Sequence, residues 1–211
     1  MQIRQLATSR TLPSQVTLPN GQPMPDAEVS LATSLFTPEE SDQLFQDLLA
    51  EIHWTQETIR IYGKLIPIPR QMAWHGDSGS AYAFSGLALT PHPWIPLLNR
   101  IRARVQEAAN TEFNSVLLNH YRSGADSMGW HADNEPELGP NPVIASVSFG
   151  GTRRFLLRNI ANPALRAEVP LTSGSMLLMA GHTQHAWHHH VPRTAREVPP
   201  RINLTFRTII R

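Results

Sequence analysis

The chain of 211 residues has the length of one substantial domain, and its 41% apolar and 17% charged residues are typical of a globular protein. A formal net charge of +1 gives no overall attraction to nucleic acids, acidic partners or membranes, so polyanion contacts have to come from local patches. The absence of cysteine excludes disulfides, thiolate metal sites and cysteine nucleophiles, and leaves histidine and carboxylate for any metal chemistry.

The first segment predicts a flexible arm. Residues 1–29 are rich in Pro, Thr, Ser and Gln without periodicity, so we place one domain at 30–211. The chain has neither a signal-peptide core nor an apolar run of the roughly 20 residues that cross a bilayer. We therefore expect a soluble intracellular protein with no membrane partner, cytoplasmic if bacterial and nuclear if eukaryotic.

Two amphipathic helices are predicted next. Thr37, Pro38 and Glu40 form a capping signature, after which apolar residues recur at helical spacing as far as Ile52. The segment "WIPLLNRIRARVQEAAN" has the same periodicity. Between the helices, "IRIYGKLIPIPRQMAWHG" predicts a hairpin with Tyr-Gly-Lys near its turn, and "AYAFSGLAL" predicts an aromatic strand.

From Phe113 onward the hydrophobic period changes to two. Short segments separated by Pro, Gly and Asn predict strands: "FNSVLLNHY", "VIASVSFG", "RRFLLRN", "GSMLLMAGHTQHAWH" and "RINLTFRTII". The pattern indicates an α+β, mainly β, protein built as a sandwich or barrel.

A candidate metal-binding pair lies in "WHADNEPEL", where His131 and Asp133 are two residues apart. Such pairs occur by chance in polar loops, so this one alone is a weak signal. Non-haem Fe(II) oxygenases bind iron through two histidines and one carboxylate, and the distant segment "HTQHAWHHHVP" offers a second histidine. The alternative is a histidine-rich strand end at the surface.

Every second residue of "RINLTFR" is polar. On a strand these residues share one face: Arg201, Asn203, Thr205 and Arg207. The face is either turned to solvent or lines a barrel interior, where two arginines would clamp a dicarboxylate. Asn119 and Tyr121 likewise share a face of "LLNHY", with Tyr121 as a plain core residue being the alternative.

Several motifs in fixed order resemble the AlkB family of Fe(II)- and 2-oxoglutarate-dependent dioxygenases, and within it the branch that repairs duplex DNA. They are "YGK", "FSGL", "PWIP", "NHYRSGAD", "WHADNEPEL", "IASVSFG" and "PRINLTFR". The resemblance covers roughly residues 55–210. It implies a double-stranded β-helix, or jelly roll, with N-terminal helices packed on one side.

The resemblance implies that His131 and Asp133 bind Fe(II). The family places its third ligand twelve residues before the first arginine of the last strand, which is His189 here. On an extended strand His188 and His190 would point away from the metal, whereas His185 has the parity of His189 but fits the family spacing less well.

The resemblance also implies 2-oxoglutarate and O₂ as cosubstrates. The residues implied to hold 2-oxoglutarate are Asn119, Tyr121, Arg201, Asn203, Thr205 and Arg207, with both arginines on its distal carboxylate. The reaction would yield succinate and CO₂ while an N-alkyl group on a damaged base is hydroxylated and released as formaldehyde.

Alkylated DNA is the substrate that the resemblance implies, with 1-methyladenine and 3-methylcytosine as examples. The residues implied to contact it are Tyr62, Gly63, Lys64, Arg70, Tyr82, Phe84, Ser85, Asn134 and Glu135. Tyr62 would be a wedge in the stack, Lys64 would meet phosphate and Phe84 would stack on the flipped base. Core packing is the alternative for Tyr82 and Phe84.

Two questions stay open in the sequence. Asn134 stands where the branch commonly has a second acidic residue, which leaves open the lesion range and the preference among double-stranded DNA, single-stranded DNA and RNA. The other functional hypotheses are the same chemistry on RNA or another alkylated substrate, and a catalytically silent nucleic-acid-binding relative. We expect a monomer.

Overall fold

Four antiparallel sheets, three α-helices and one 3₁₀ turn (Pro136–Leu138) make up the computed structural model, which describes residues 13–61, 64–78, 82–84, 87–89 and 91–210. The helices are α1 (Pro38–Glu51), α2 (Pro96–Ala109) and the single turn α3 (Thr183–Ala186). The strands are β1 (Ser14–Gln15), β2 (Glu28–Ala32), β3 (Thr58–Ile61), β4 (Lys64–Pro67), β5 (Gln71–Gly76), β6 (Tyr82–Phe84), β7 (Leu87–Leu89), β8 (Ser115–Tyr121), β9 (Met128–His131), β10 (Ile144–Gly150), β11 (Arg153–Asn159), β12 (Arg166–Leu171), β13 (Met176–Ala180), β14 (Trp187–Val191) and β15 (Arg201–Arg207).

The strands form a large and a small sheet. The large sheet has seven strands in the order β1-β2-β13-β10-β15-β8-β5, and the small sheet has four in the order β12-β11-β14-β9. The pairs β3–β4 and β6–β7 form separate two-stranded hairpins. The mainly β architecture predicted from the two-residue periodicity is confirmed.

Both predicted long helices are present and cover one face of the large sheet. The Thr37 hydroxyl accepts a hydrogen bond from the Glu40 amide, and the Glu40 carboxylate accepts one from the Thr37 amide, so the predicted capping box starts α1. Apolar residues of both helices pack on one side of the last strand: Ile202, Leu204 and Phe206. The opposite side of this strand therefore faces the space between the two sheets.

The N-terminal segment corrects one expectation, because residues 13–29 are not a flexible arm. Strand β1 pairs with β2, and Leu18 and Met24 are buried in the core between the sheets. The Trp187 indole donates a hydrogen bond of 2.8 Å to the Pro25 carbonyl. Composition concealed this order because the buried residues recur at no regular period, and their partners lie far away in the sequence.

Two predicted strands are each divided in the structure. The segment "GSMLLMAGHTQHAWH" forms β13, α3 and β14, because Gly181 takes a left-handed φ of 55° that ends β13. The segment "AYAFSGLAL" contains both strands of the β6–β7 hairpin. Within the described residues, none of the helices has the length and apolar character needed to cross a membrane.

Candidate active site

Two histidines and one aspartate converge at the edge of the small sheet. His131 ends β9 and is the register partner of His189 on β14, while Asp133 lies two residues beyond the end of β9. The two Nε2 atoms are 3.0 Å apart, and the Asp133 carboxylate oxygens lie 3.7 Å from His131 Nε2 and 4.0 Å from His189 Nε2. Within the described ranges, no other trio of metal-ligating side chains converges to this extent.

The protonation states of this cluster suit a divalent metal. Burial alone would raise the pKa of the Asp133 carboxyl, but Arg207 and the two histidines outweigh it and hold the pKa well below its usual range. Burial, together with His131, lowers the pKa of His189 to about 3. A carboxylate and a neutral imidazole are the forms that coordinate metal, and two histidines with one carboxylate fit Fe(II).

Asp133 is held from two sides. Its backbone amide donates a hydrogen bond of 2.9 Å to Oε1 of Gln184, a fully buried residue of α3. Its Oδ2 lies 2.9 Å from Arg207 Nη2. Sequence reasoning missed Gln184, because α3 lies inside a segment that reads as one strand.

The polar row of β15 lines the same cavity as the three candidate ligands. Its members are Arg201, Asn203, Thr205 and Arg207, joined by Tyr121 and Ser146. All four side chains of the row are buried, so the solvent-exposed alternative is excluded. Asn119 is the register partner of Asn203 on the neighbouring β8.

Arg201 is a buried cation with unsatisfied donors. Its Nη2 donates to the Ser148 hydroxyl at 2.9 Å, whereas Nε and Nη1 have no hydrogen-bond partner among the described residues. Burial lowers the pKa of this guanidinium to about 10. Two unsatisfied donors on a buried cation fit the carboxylate of a bound diacid.

The two arginines of the row serve different ends of the cavity. Six residues of extended strand separate their Cα atoms by about 20 Å, and Arg207 contacts Asp133 whereas Arg201 contacts Ser148. This separation favours Arg201 alone as the partner of the distal carboxylate, and the placement implied for both arginines stays a prediction. Only Arg201 lies away from the metal-ligand cluster.

Arg70 has a different environment from the substrate contact implied for it. Its side chain is 5% exposed, and Nε donates a 2.6 Å hydrogen bond to Asn119 Oδ1. Its Nη1 donates to the Ser127 carbonyl at 3.3 Å. Arg70 therefore lies inside the protein beside Asn119, and the substrate contact implied for it stays a prediction.

The other implied substrate residues differ in their exposure. Lys64 and Asn134 are exposed, and Glu135 is half-buried with its Oε2 in contact with no hydrogen-bond partner among the described residues. Burial raises the pKa of Glu135. Five further positions lie outside the described residues or have side chains that do: Tyr62, Gly63, Ser85, Tyr82 and Phe84.

Sequence reasoning also missed the two serines of β10. Ser146 accepts a hydrogen bond from Asn203 Nδ2, and Ser148 accepts one from Arg201 Nη2, both at 2.9 Å. The signal was present, because the two serines alternate with buried apolar residues in "IASVSFG" and share the face of the polar row.

A two-sheet β fold with two histidines, a carboxylate and a buried, unsatisfied arginine in one cavity defines the class of non-haem iron oxygenases with a diacid cosubstrate. Residues 28–207 match the family described as the 2OG-Fe(II) oxygenase superfamily. The chain therefore belongs to the 2OG-Fe(II) oxygenase superfamily and, by the relatives below, to its AlkB family.

Two of the similar proteins are named as an oxidative demethylase and a dioxygenase. The chain is 42% identical to the human DNA oxidative demethylase ALKBH2 over 188 residues. This alignment covers 84% of this chain and 72% of that protein. It is 39% identical over 179 residues to the mouse alpha-ketoglutarate-dependent dioxygenase alkB homolog 3, covering 81% and 62%. The solved structure of OsALKBH1 superposes with a TM-score of 0.58 at 19% identity, over 86% of this chain and 97% of that one.

These comparisons confirm four predictions. The chain is a 2-oxoglutarate-dependent dioxygenase of the AlkB family, its fold is the jelly roll with N-terminal helices on one side, and its cofactor and cosubstrate are Fe(II) and 2-oxoglutarate.

Proposed function

We propose that this protein oxidatively demethylates alkylated DNA bases of the 1-methyladenine and 3-methylcytosine type, with release of formaldehyde, succinate and CO₂. The observation that carries the proposal is the convergence of His131, Asp133 and His189 in the cavity that Arg201, with its unsatisfied donors, also lines. The 42% identity to a DNA oxidative demethylase supports DNA as the substrate.

In this proposal the three converging side chains hold Fe(II), and Arg201 binds the distal carboxylate of 2-oxoglutarate. Bound iron supplies, with 2-oxoglutarate and O₂, the oxidation of the N-alkyl group. Gln184 and Arg207 keep the Asp133 carboxylate turned toward the two imidazoles. Tyr121, Asn119, Asn203 and Thr205 complete the polar wall against which the diacid lies.

The substrate base has to leave the helix to reach a buried cluster, because Asp133 and His189 are almost completely enclosed. Alkylation of a pairing nitrogen lowers the cost of this extrusion. His131 is the partly exposed member, with 27% of its side chain accessible, and it marks the side from which the base enters. We further propose that the enzyme acts as a monomer on duplex DNA, with single strands and RNA as weaker substrates.

The test is repair of a 1-methyladenine duplex, followed by mass spectrometry of the base and by assays of formaldehyde and succinate. Matched methylated single-stranded DNA and RNA rank the substrates, and His131→Ala and Asp133→Ala serve as inactive controls. Turnover of methylated RNA with none on DNA would overturn the assignment of substrate. Absence of succinate formation on every substrate would overturn the enzymatic proposal altogether.

A further inference from the structure

Three side chains from three strands stack on the outer surface of the small sheet. The Trp130 ring on β9 stacks on the His190 ring of β14, with centroids 4.8 Å apart and planes inclined by 25°. The guanidinium carbon of Arg158 on β11 lies 4.3 Å from the Trp130 ring centroid. We call these three residues the outer stack. It links the edge strand of the sheet to the two strands behind it.

The strand at the edge needs such support. β9 has four residues and pairs, within its sheet, only with β14. Its pairing has a register shift between the His189 and Val191 positions. An irregular ladder on a short edge strand leaves its backbone weakly restrained.

The outer stack lies directly behind the metal-ligand cluster. Successive residues of a strand project to opposite faces, so Trp130 and His190 lie outside where His131 and His189 lie inside. The inner pair has ring centroids 4.2 Å apart, close to the 4.8 Å of the outer pair. His190 Nδ1 also lies 2.6 Å from the Met128 carbonyl, which fastens the other end of β9 to β14.

His131 is the candidate ligand with the least support of its own. Asp133 is held by Gln184 and Arg207, and His189 is buried and stacked on Phe155 with centroids 5.2 Å apart. Besides the cluster itself, the His131 ring has one hydrogen-bond partner among the described residues, the carbonyl of Gly129 on its own strand. Its position therefore follows that of β9.

We propose that the outer stack is a positioning device that holds β9 against β14 and so keeps His131 at coordinating distance from its partners. Trp130, Arg158 and His190 are positioning residues that set the affinity for the metal without touching it. The inference rests on the proposed role of His131 as an iron ligand. Trp130, a large apolar side chain that is 37% exposed, thus has a function in the fold.

A base-stacking platform for nucleic acid is the competing use of an exposed tryptophan. Here the Trp130 ring is already in contact with an imidazole and a guanidinium, which occupy part of the surface that a stacked base would need. The aromatic and cation–π contacts instead act within the protein, between strands of the same sheet.

The experiment measures Mn(II) affinity by calorimetry on the full chain, without 2-oxoglutarate or DNA. Trp130→Ala is expected to raise the Kd for Mn(II) by about tenfold, the lower range for residues that orient ligands, and Trp130→Phe should restore most of the affinity. Arg158→Ala should weaken binding in the wild-type background and have no further effect on Trp130→Ala. Leu49→Ala is the matched control, because Leu49 is 40% exposed on α1 and far from the sheet edge in the sequence.

Hydrogen exchange of the metal-free protein gives a second measurement. Amides of residues 128–131 should exchange faster in Trp130→Ala, while those of β10 keep wild-type protection and report an intact fold. Wild-type Mn(II) affinity in Trp130→Ala would overturn the inference, and a selective loss of duplex binding would assign Trp130 to nucleic acid. If His131→Ala abolishes Mn(II) binding but the wild type repairs no DNA, the proposed function fails while the positioning role stands.

Discussion

Arg70 Nε donates a 2.6 Å hydrogen bond to Asn119 Oδ1, between two residues that are both at most 5% exposed. The bond fixes the orientation of the amide, and Asn119 Nδ2 is left with no partner among the described residues. We expect an amide turned in this way to donate to an oxygen of the bound diacid.

Arg70→Ala should therefore weaken 2-oxoglutarate binding by about tenfold, because Asn119 loses its orientation and a buried acceptor loses its partner at a cost of about 1–3 kcal/mol. Calorimetric titration of the Mn(II)-loaded variant with 2-oxoglutarate measures the first effect, and urea unfolding measures the second. Arg100→Ala is the control, since the Arg100 side chain is 66% exposed. An unchanged 2-oxoglutarate affinity would contradict this role and favour the substrate contact implied for Arg70.

The opposite ends of the polar row should separate in a binding experiment. Arg201→Gln removes the charge-assisted donors from the distal carboxylate and should raise the Kd for 2-oxoglutarate by about 100-fold, for two such bonds of about 1.5 kcal/mol each. Mn(II) binding should stay as in the wild type. Arg207→Gln should instead weaken Mn(II) binding, because Arg207 contacts Asp133. Equal effects of the two substitutions on Mn(II) would contradict the division of roles.

The β3–β4 hairpin should matter for double-stranded substrates only. The side chains of its second strand, β4, are exposed, including Leu65 at 65% and Ile66 at 41%, and Tyr62 stands at its turn in the sequence. Tyr62→Ala should reduce repair of a methylated duplex by about tenfold, if a wedge contributes about 1.4 kcal/mol of stacking, and spare the single strand. Competition assays with both substrates in one reaction measure the ratio. An equal loss of repair on both substrates would contradict a wedge role for Tyr62.

Acid should weaken the fold through Asp126. Burial would raise the pKa of this carboxyl, but hydrogen bonds from Arg122 outweigh it, so the pKa lies below its unfolded value. The stabilisation is thus fully present above the unfolded pKa and is lost as the pH falls through the folded one. Asp126→Asn should cost about 1 kcal/mol at pH 7, since Arg122 is half in solvent. Urea unfolding from pH 7 to pH 3 should show that the free energy of unfolding falls less steeply with pH in the variant than in the wild type.

Local signals in the sequence predicted much of this molecule. The capping box at Thr37 and Glu40 depends on residues three apart, and the parity of Arg201 and Arg207 follows from strand geometry alone. The third candidate ligand, His189, came from the family spacing and not from periodicity.

Contacts between distant segments account for what the sequence did not predict. Gln184 reaches Asp133 across 51 residues, and Arg70 reaches Asn119 across 49. Neither pair has a local pattern, because each depends on how strands from separate parts of the chain are brought side by side. The order of residues 13–29 was missed for the same reason.

Strand β1 covers the outer edge of β2, which would otherwise end the large sheet with unpaired backbone groups. A shortened protein that begins at residue 30 would lose β1, the first two residues of β2 and the carbonyl that accepts from Trp187. Such an unpaired strand edge can pair with the same edge of another copy of the chain. Truncation guided by low sequence complexity would therefore yield self-associating material, and preparations for crystallisation should retain this N-terminal stretch.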